Sequence, residues 1–239
     1  MLSCCTDPMG QGPDPIHDPV PVVTQYATAD LIGAIAYGGR DPGDDPAWAS
    51  TGAPTQAIYR RWCRHMCGIA CLRMALLHRD GQAPSLFQLL TGARYYGAYV
   101  QQTGGEIKGL LYAPFVRYVQ DTHAVRAEVH PQLDVSGLVE LLDSGQMVMA
   151  SVSKEIRRPE QDPQRRGGHL VLAIGRDGGQ VVFRNPSGHR TQSREAVMPV
   201  DRFGAFFGGR GISLDPRSTV RRAPARASVS RPVASRPTT

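Results

Sequence analysis

From Cys67 to Gly145 the apolar residues recur at helical spacing; from Met147 onward they fall into short runs between glycine-rich turns. A chain that changes period once, helices first and strands after, is constrained to an α+β architecture with an antiparallel sheet. Residues 67–81 (CGIACLRMALLHRDG) carry apolar side chains around nearly the whole helical circumference, so this helix is expected to be buried, with Gly81 as its stop. Residues 84–94 and 135–145 read as further helices, and 106–120 as a helix in two pieces broken at Pro114. In the second half, 147–153 is a short apolar run. Residues 169–175 (HLVLAIG) are apolar on both faces, as in a central strand. A strand at 180–185 follows the turn RDGG, 196–201 reads as another, and 202–214 as a Gly-rich edge with aromatic anchors.

The 239 residues suffice for one sizeable domain with tails. Residues 1–20, dense in Pro, Asp and Gly, are expected to be disordered, and 21–53 to form a partly ordered extension. The compact domain is expected at 54–215, followed by a disordered Arg/Pro/Ser tail at 216–239. The net charge is +6, yet six arginines and no acids lie from 217 to 239, so the rest of the chain is close to neutral. The basic balance belongs to a solvated tail and specifies no nucleic-acid partner. No run of roughly 18 apolar residues predicts a membrane span. The N-terminus lacks the basic-then-apolar order of a secretory signal, so the expected location is cytoplasmic, without a membrane partner.

Five cysteines cannot all pair within one chain, and in a reducing compartment cysteine usage points to catalysis or metal before a disulfide framework. Three of them, Cys63, Cys67 and Cys71, sit four apart. On a helix that spacing drifts by about 40° per step, which places the thiols in one stripe. A structural zinc site needs four ligands, and no second Cys or His pair stands at knuckle spacing, so no metal is expected. Thiols four apart on a helix also have poor disulfide geometry. Core packing suits Cys71, one turn into the apolar helix. Cys67 is different. It opens the helix, where free N–H groups and the dipole favour a thiolate, and Gly68 after it permits close approach. That position suits a nucleophile.

A nucleophilic cysteine needs a base, and the base an orienter. Of seven histidines, His169 opens the most apolar strand after two glycines. Asn185 closes the next strand, where its amide could hold the imidazole. Register decides whether the two meet. A two-residue turn at Gly178–Gly179 would pair Asp177 with Gln180 and put His169 and Asn185 on opposite faces. A three-residue turn, or an equivalent bulge, would put Asn185 opposite Val171 and make it a diagonal neighbour of His169, roughly 7–8 Å away at Cα. The reading therefore predicts that turn or a bulge, with Val171, Ala173 and Gly175 on the same face, small enough to admit a closely packed helix.

CGIACLRMAL resembles the nucleophile helix of the C39 peptidase family and its C39-like relatives, and GGHLVLAIGRDGGQVVFRNPSG resembles their histidine block. The resemblance covers roughly residues 56–212, and its specificity lies in those two blocks. It implies a papain-like cysteine proteinase fold, with helices packed on an antiparallel sheet and no cofactor. Cys67 would be the nucleophile, His169 the base, Asn185 the orienter and Cys71 a packing cysteine. The family usually places an oxyanion-binding Gln six residues before the nucleophile. Here that position is Arg61, with Gln56 nearby and out of register. Arg61, Gln56 or the Cys67 N–H with another donor is thus expected to form the oxyanion hole. Without a membrane span or P-loop, the reading is a free-standing version. The implied function is a cysteine hydrolase, peptidase or amidase, acting on a peptide, amide or thioester through an acyl-enzyme. The alternatives are an acyltransferase or amide-forming tailoring enzyme on the same triad, and a catalytically impaired binding protein of the same fold. Loops at 95–106 and 206–211 are the expected cleft rim.

Overall fold

The structure, a computed structural model, describes residues 20–219; the expectations for 1–19 and 220–239 lie outside them. Its helices and strands run α1 (Ile32–Tyr37), α2 (Gln56–Trp62), α3 (Cys67–Asp80), α4 (Leu86–Tyr95), α5 (Tyr112–His123), β1 (Val125–His130), α6 (Val135–Asp143), β2 (Met147–Ser153), β3 (Gly168–Asp177), β4 (Gln180–Arg184), α7 (Thr191–Arg194), β5 (Glu195–Pro199), α8 (Val200–Phe206) and β6 (Phe207–Thr219). The strands form one antiparallel sheet in the order β1-β6-β2-β3-β4-β5. The architecture is α+β, as the change of period requires.

The sheet is covered on both sides. On one, Met147, Met149, Leu170, Leu172 and Ile174 join a core with α3, α4 and α5. On the other, Val148, Ala150, Val171 and Ala173 meet Leu138 and Leu142 of α6 and Phe203 and Phe206 of α8. Two-sided burial is why β2 and β3 read as continuous apolar runs rather than alternating ones. The face of Val171 and Ala173 does admit helices, α6 and α8, while α3 packs on the opposite Leu170/Leu172/Ile174 face.

Helix α3 is buried around its circumference, with Ile69, Leu72 and Met74 fully enclosed. Each such side chain contributes about 1.5–3 kcal/mol through burial. Gly81 ends the helix at φ 70°, its N–H donating to Leu77 O. Gly68 sets how near the sheet can come: a Cβ there would lie 2.8 Å from Leu110 Cδ2 and 3.2 Å from Leu170 Cδ1.

Several local expectations change. Pro114 does not break a helix; it sits in the first turn of α5, where its missing N–H would have no partner, and 106–111 is non-helical, with Gln101 bridging Ile107. Strand β1 went unread because only Val125, Ala127 and Val129 mark its inner face. The 202–214 segment is not an edge: it divides into α8 and β6, and β6 lies between β1 and β2. Strand β6 also runs to Thr219, past the expected boundary at Asp215. Residues 21–53, read as an extension, contribute Val23, Tyr26, Ile32 and Ile35 to the α3-side core, and Val20, expected to be disordered, is buried there too. They are tied in through Tyr59, whose hydroxyl donates to Asp45 Oδ2 and accepts from Ala27 N–H.

Candidate active site

Cys67 is the first residue of α3, and Cys63, Cys67 and Cys71 are all free thiols. Cys63 and Cys71 are fully buried, whereas Cys67 retains partial exposure. Cys67 and His169 line one hollow of about 220 Å³ at the start of β3. They reach it from different sides of the sheet. Cys67 packs with the α3-side core, while His169 shares the parity of Val171, which faces α6 and α8. They meet because the strand begins there, after Gly167 (φ 80°) and Gly168 (φ 96°), both in conformations that favour glycine.

The register of β3 on β4 brings Asn185 to His169. The turn has two residues, Gly178 and Gly179, with Asp177 opposite Gln180. The expected three-residue turn is absent, and its equivalent, a bulge, is present: the register shifts between Ala173 and Gly175, so that Leu172 faces Arg184. The next residues along, Val171 and Asn185, are then opposite, and Asn185 falls on the His169 face. His169 Nε2 lies 2.8 Å from Asn185 Oδ1. Asn185 Oδ1 also accepts the Ser187 N–H at 3.0 Å, which fixes it as the acceptor end of the amide. His169 Nε2 therefore carries the proton, and Nδ1 is its basic nitrogen.

Two residues in this network escaped the sequence reading. Ser187 Oγ lies 3.0 Å from His169 Nε2 and 3.3 Å from Asn185 Oδ1. Arg157, in the 3₁₀ turn Lys154–Arg157 after β2, donates from Nε to Ser187 Oγ at 2.7 Å. His169, Asn185 and Ser187 are all buried. The signal for Ser187 was the NPS sequence itself, in which the chain turns back after Asn185. No sequence signal marked Arg157, which lies in a polar loop.

The protonation states follow from burial. Burial holds the His169 imidazole down at about 3, with the Arg157 cation acting in the same direction and the Asn185 hydrogen bond opposing both. Burial raises the Cys67 thiol above its ordinary range, against the lowering effect of the Leu170 and Gly68 N–H groups. At the start of α3, desolvation outweighs the thiolate-favouring helix end. Both shifts favour a neutral thiol and a neutral imidazole, not the depressed thiol expected from position alone.

The expected oxyanion residues lie elsewhere. Arg61 and Gln56 are exposed and line a separate surface hollow with Asp41 and Arg60. Gln56 Nε2 donates to Gly43 O. A different amide links the segments before Cys67 and after Asn185. Gln25 is buried; its N–H donates to Pro186 O at 2.9 Å and its Nε2 to Cys63 O at 2.8 Å. Gln25 Oε1 is buried without a partner. Gln25 and Asn185 are the two buried amide side chains among the described residues. The signal was the VPVVTQ run, an apolar stretch leading into a glutamine within the supposed extension. Of the expected cleft rim, Arg210 lines the hollow and the 95–106 loop does not; Gly109, Leu110 and Tyr112 take its place.

No family model matches the chain, and no curated protein matches it. Solved structures to which the chain is similar include the peptidase domain of Streptococcus ComA, a bifunctional ABC transporter in a quorum-sensing pathway. It is 18% identical, with 64% of this chain and 93% of that chain covered at a TM-score of 0.45. A putative C39-like peptidase from Bacillus anthracis is 16% identical, covering 65% and 90% at 0.46. A double-glycine-motif protease from an AMS/PCAT transporter, solved with its leader peptide, is 14% identical, covering 62% and 83% at 0.41. Among the described residues no helix is long and apolar enough to cross a membrane.

Proposed function

We propose that this protein is a cysteine hydrolase acting on amide or peptide bonds, with Cys67 as nucleophile, His169 as base and Asn185 as its orienter. The observation that carries the reading is the buried His169–Asn185 pair on the hollow that Cys67 lines at the start of α3. The resting pair is neutral, so His169 Nδ1 takes the Cys67 proton as sulfur attacks the carbonyl carbon. Asn185 Oδ1 stabilises the imidazolium through Nε2–H. The C–N bond then breaks, and the imidazolium proton leaves on the amine. Water, deprotonated by His169, cleaves the thioester and restores the thiol.

The developing oxyanion needs donors. We assign them to the Cys67 N–H, at the unsatisfied start of α3, and to Gln25 Nε2, whose second N–H is not used by Cys63 O. Placement of Gln25 between Cys63 O and Pro186 O supports this assignment. The test is to label native protein with limiting iodoacetamide and map each cysteine. Preferential labelling of Cys67 that drops in His169→Ala is expected. Labelling of Cys67 unaffected by His169→Ala would mean exposure alone selects it, and the catalytic reading fails.

A further inference from the structure

The hollow in front of Cys67 is charged on one side only. Arg64 and Arg210 line it together with His65, Tyr112 and Ser151, and no carboxylate does. Neither arginine forms an ion pair among the described residues. Arg210 is nonetheless held. It packs over Gly167, where a Cβ would lie 3.1 Å from Nη2, and stands near Tyr112, where its cation opposes the rise that burial gives that hydroxyl. The glycine before the His169 strand thus also makes room for this cation. Burial, and then the neighbouring Arg64 cation, lower His65 from its ordinary value. A volume of about 220 Å³ admits a residue-sized group rather than a folded partner.

This inference rests on the hydrolase reading and narrows its substrate. We propose that Arg64 and Arg210 form a carboxylate subsite, so that the substrate carries a carboxylate within one residue of the scissile carbonyl. Arg64 Nη2 donates to Ile35 O at 3.5 Å, and neither guanidinium has a carboxylate partner, so both cations are available to an anionic group in the hollow; exposure at the rim makes the attraction sensitive to salt.

Iodoacetate and iodoacetamide differ at the group next to the reactive carbon, so their rate ratio at Cys67 tests the subsite. The ratio, not either rate, is the readout, so a general loss of reactivity cancels. The ratio is expected to exceed that of glutathione and to fall about five- to tenfold in Arg210→Gln and in Arg64→Gln. It should be retained in Arg210→Lys and drop in 0.5 M NaCl, about a tenth of a molar being the reference. In a second arm, N-acetyl-Ala-Ala should slow iodoacetamide labelling of Cys67, while its C-terminal amide should not. Protection by inorganic phosphate alone, or by neither dipeptide, would overturn the proposal. A ratio indifferent to both arginines, with labelling still dependent on His169, would sink the carboxylate subsite and leave the nucleophile assignment standing. Loss of His169 dependence with both reagents would remove both.

Discussion

His169 Nε2 and Asn185 Oδ1 stand 2.8 Å apart across a strand pair whose turn alone would have put them on opposite faces. The bulge between Ala173 and Gly175 restores the alignment by shifting the register one residue. Asn185→Ala should therefore leave the sheet paired while removing the imidazole's acceptor. Its expected effect is a fall of roughly 10²-fold in Cys67 alkylation and turnover, comparable to His169→Ala. Circular dichroism alongside rate measurement separates this from unfolding; a variant with unchanged rates would remove Asn185 from the site.

Stability should depend on pH through His169. Its folded value of about 3 lies below the ordinary 6.5, so the unfolded chain binds a proton that the folded one excludes. This contribution is fully present above about pH 6.5 and is lost as pH falls toward 3. His169→Gln should flatten the urea midpoint across that window relative to wild type. Parallel curves for the two proteins would show that the imidazole is not buried in neutral form.

Arg157 acts on His169 through Ser187, at 2.7 Å and 3.0 Å. Removing the cation removes one of the two effects that depress the imidazole. Arg157→Gln is expected to move the His169 titration upward, read by histidine NMR, and Arg157→Lys to move it less. A titration unmoved in Arg157→Gln would leave the arginine with a packing role alone.

The neutral resting pair fixes the pH profile of Cys67. Because burial raises the thiol, alkylation by iodoacetamide should climb through the alkaline range with no plateau extending down to mildly acid pH. A plateau from about pH 4 would instead report a preformed thiolate–imidazolium pair.

Gly68→Ala places a methyl 2.8 Å from Leu110 and 3.2 Å from Leu170. Leu170 follows His169, so an overlap that the two leucine side chains do not absorb is expected to widen the gap between α3 and β3, and with it that between Cys67 and His169. A loss of about 1–3 kcal/mol in denaturant stability is expected, with a larger proportional loss in Cys67 reactivity. Gln25→Ala should leave alkylation nearly unchanged and lower turnover of an activated peptide ester by about 10²-fold, because alkylation forms no oxyanion.

The sequence by itself determined that helices precede most of the strands, the buried helix that Cys67 opens, the strand that carries His169 at its start and the strand that Asn185 follows. These follow from local periodicity and from glycine and proline placement, which act over a few residues. The tertiary structure decided the rest. A bulge set the register that the turn residues misjudged, since one extra residue in β3 reverses every later side chain on β4. Gln25, more than 40 residues before Cys67, reaches Cys63 O and Pro186 O because Val20, Val23 and Tyr26 bury in the α3-side core. Arg157 and Ser187 converge on His169 from separate loops. Protonation followed burial rather than position, because desolvation of a thiol and an imidazole depends on every element packed around them.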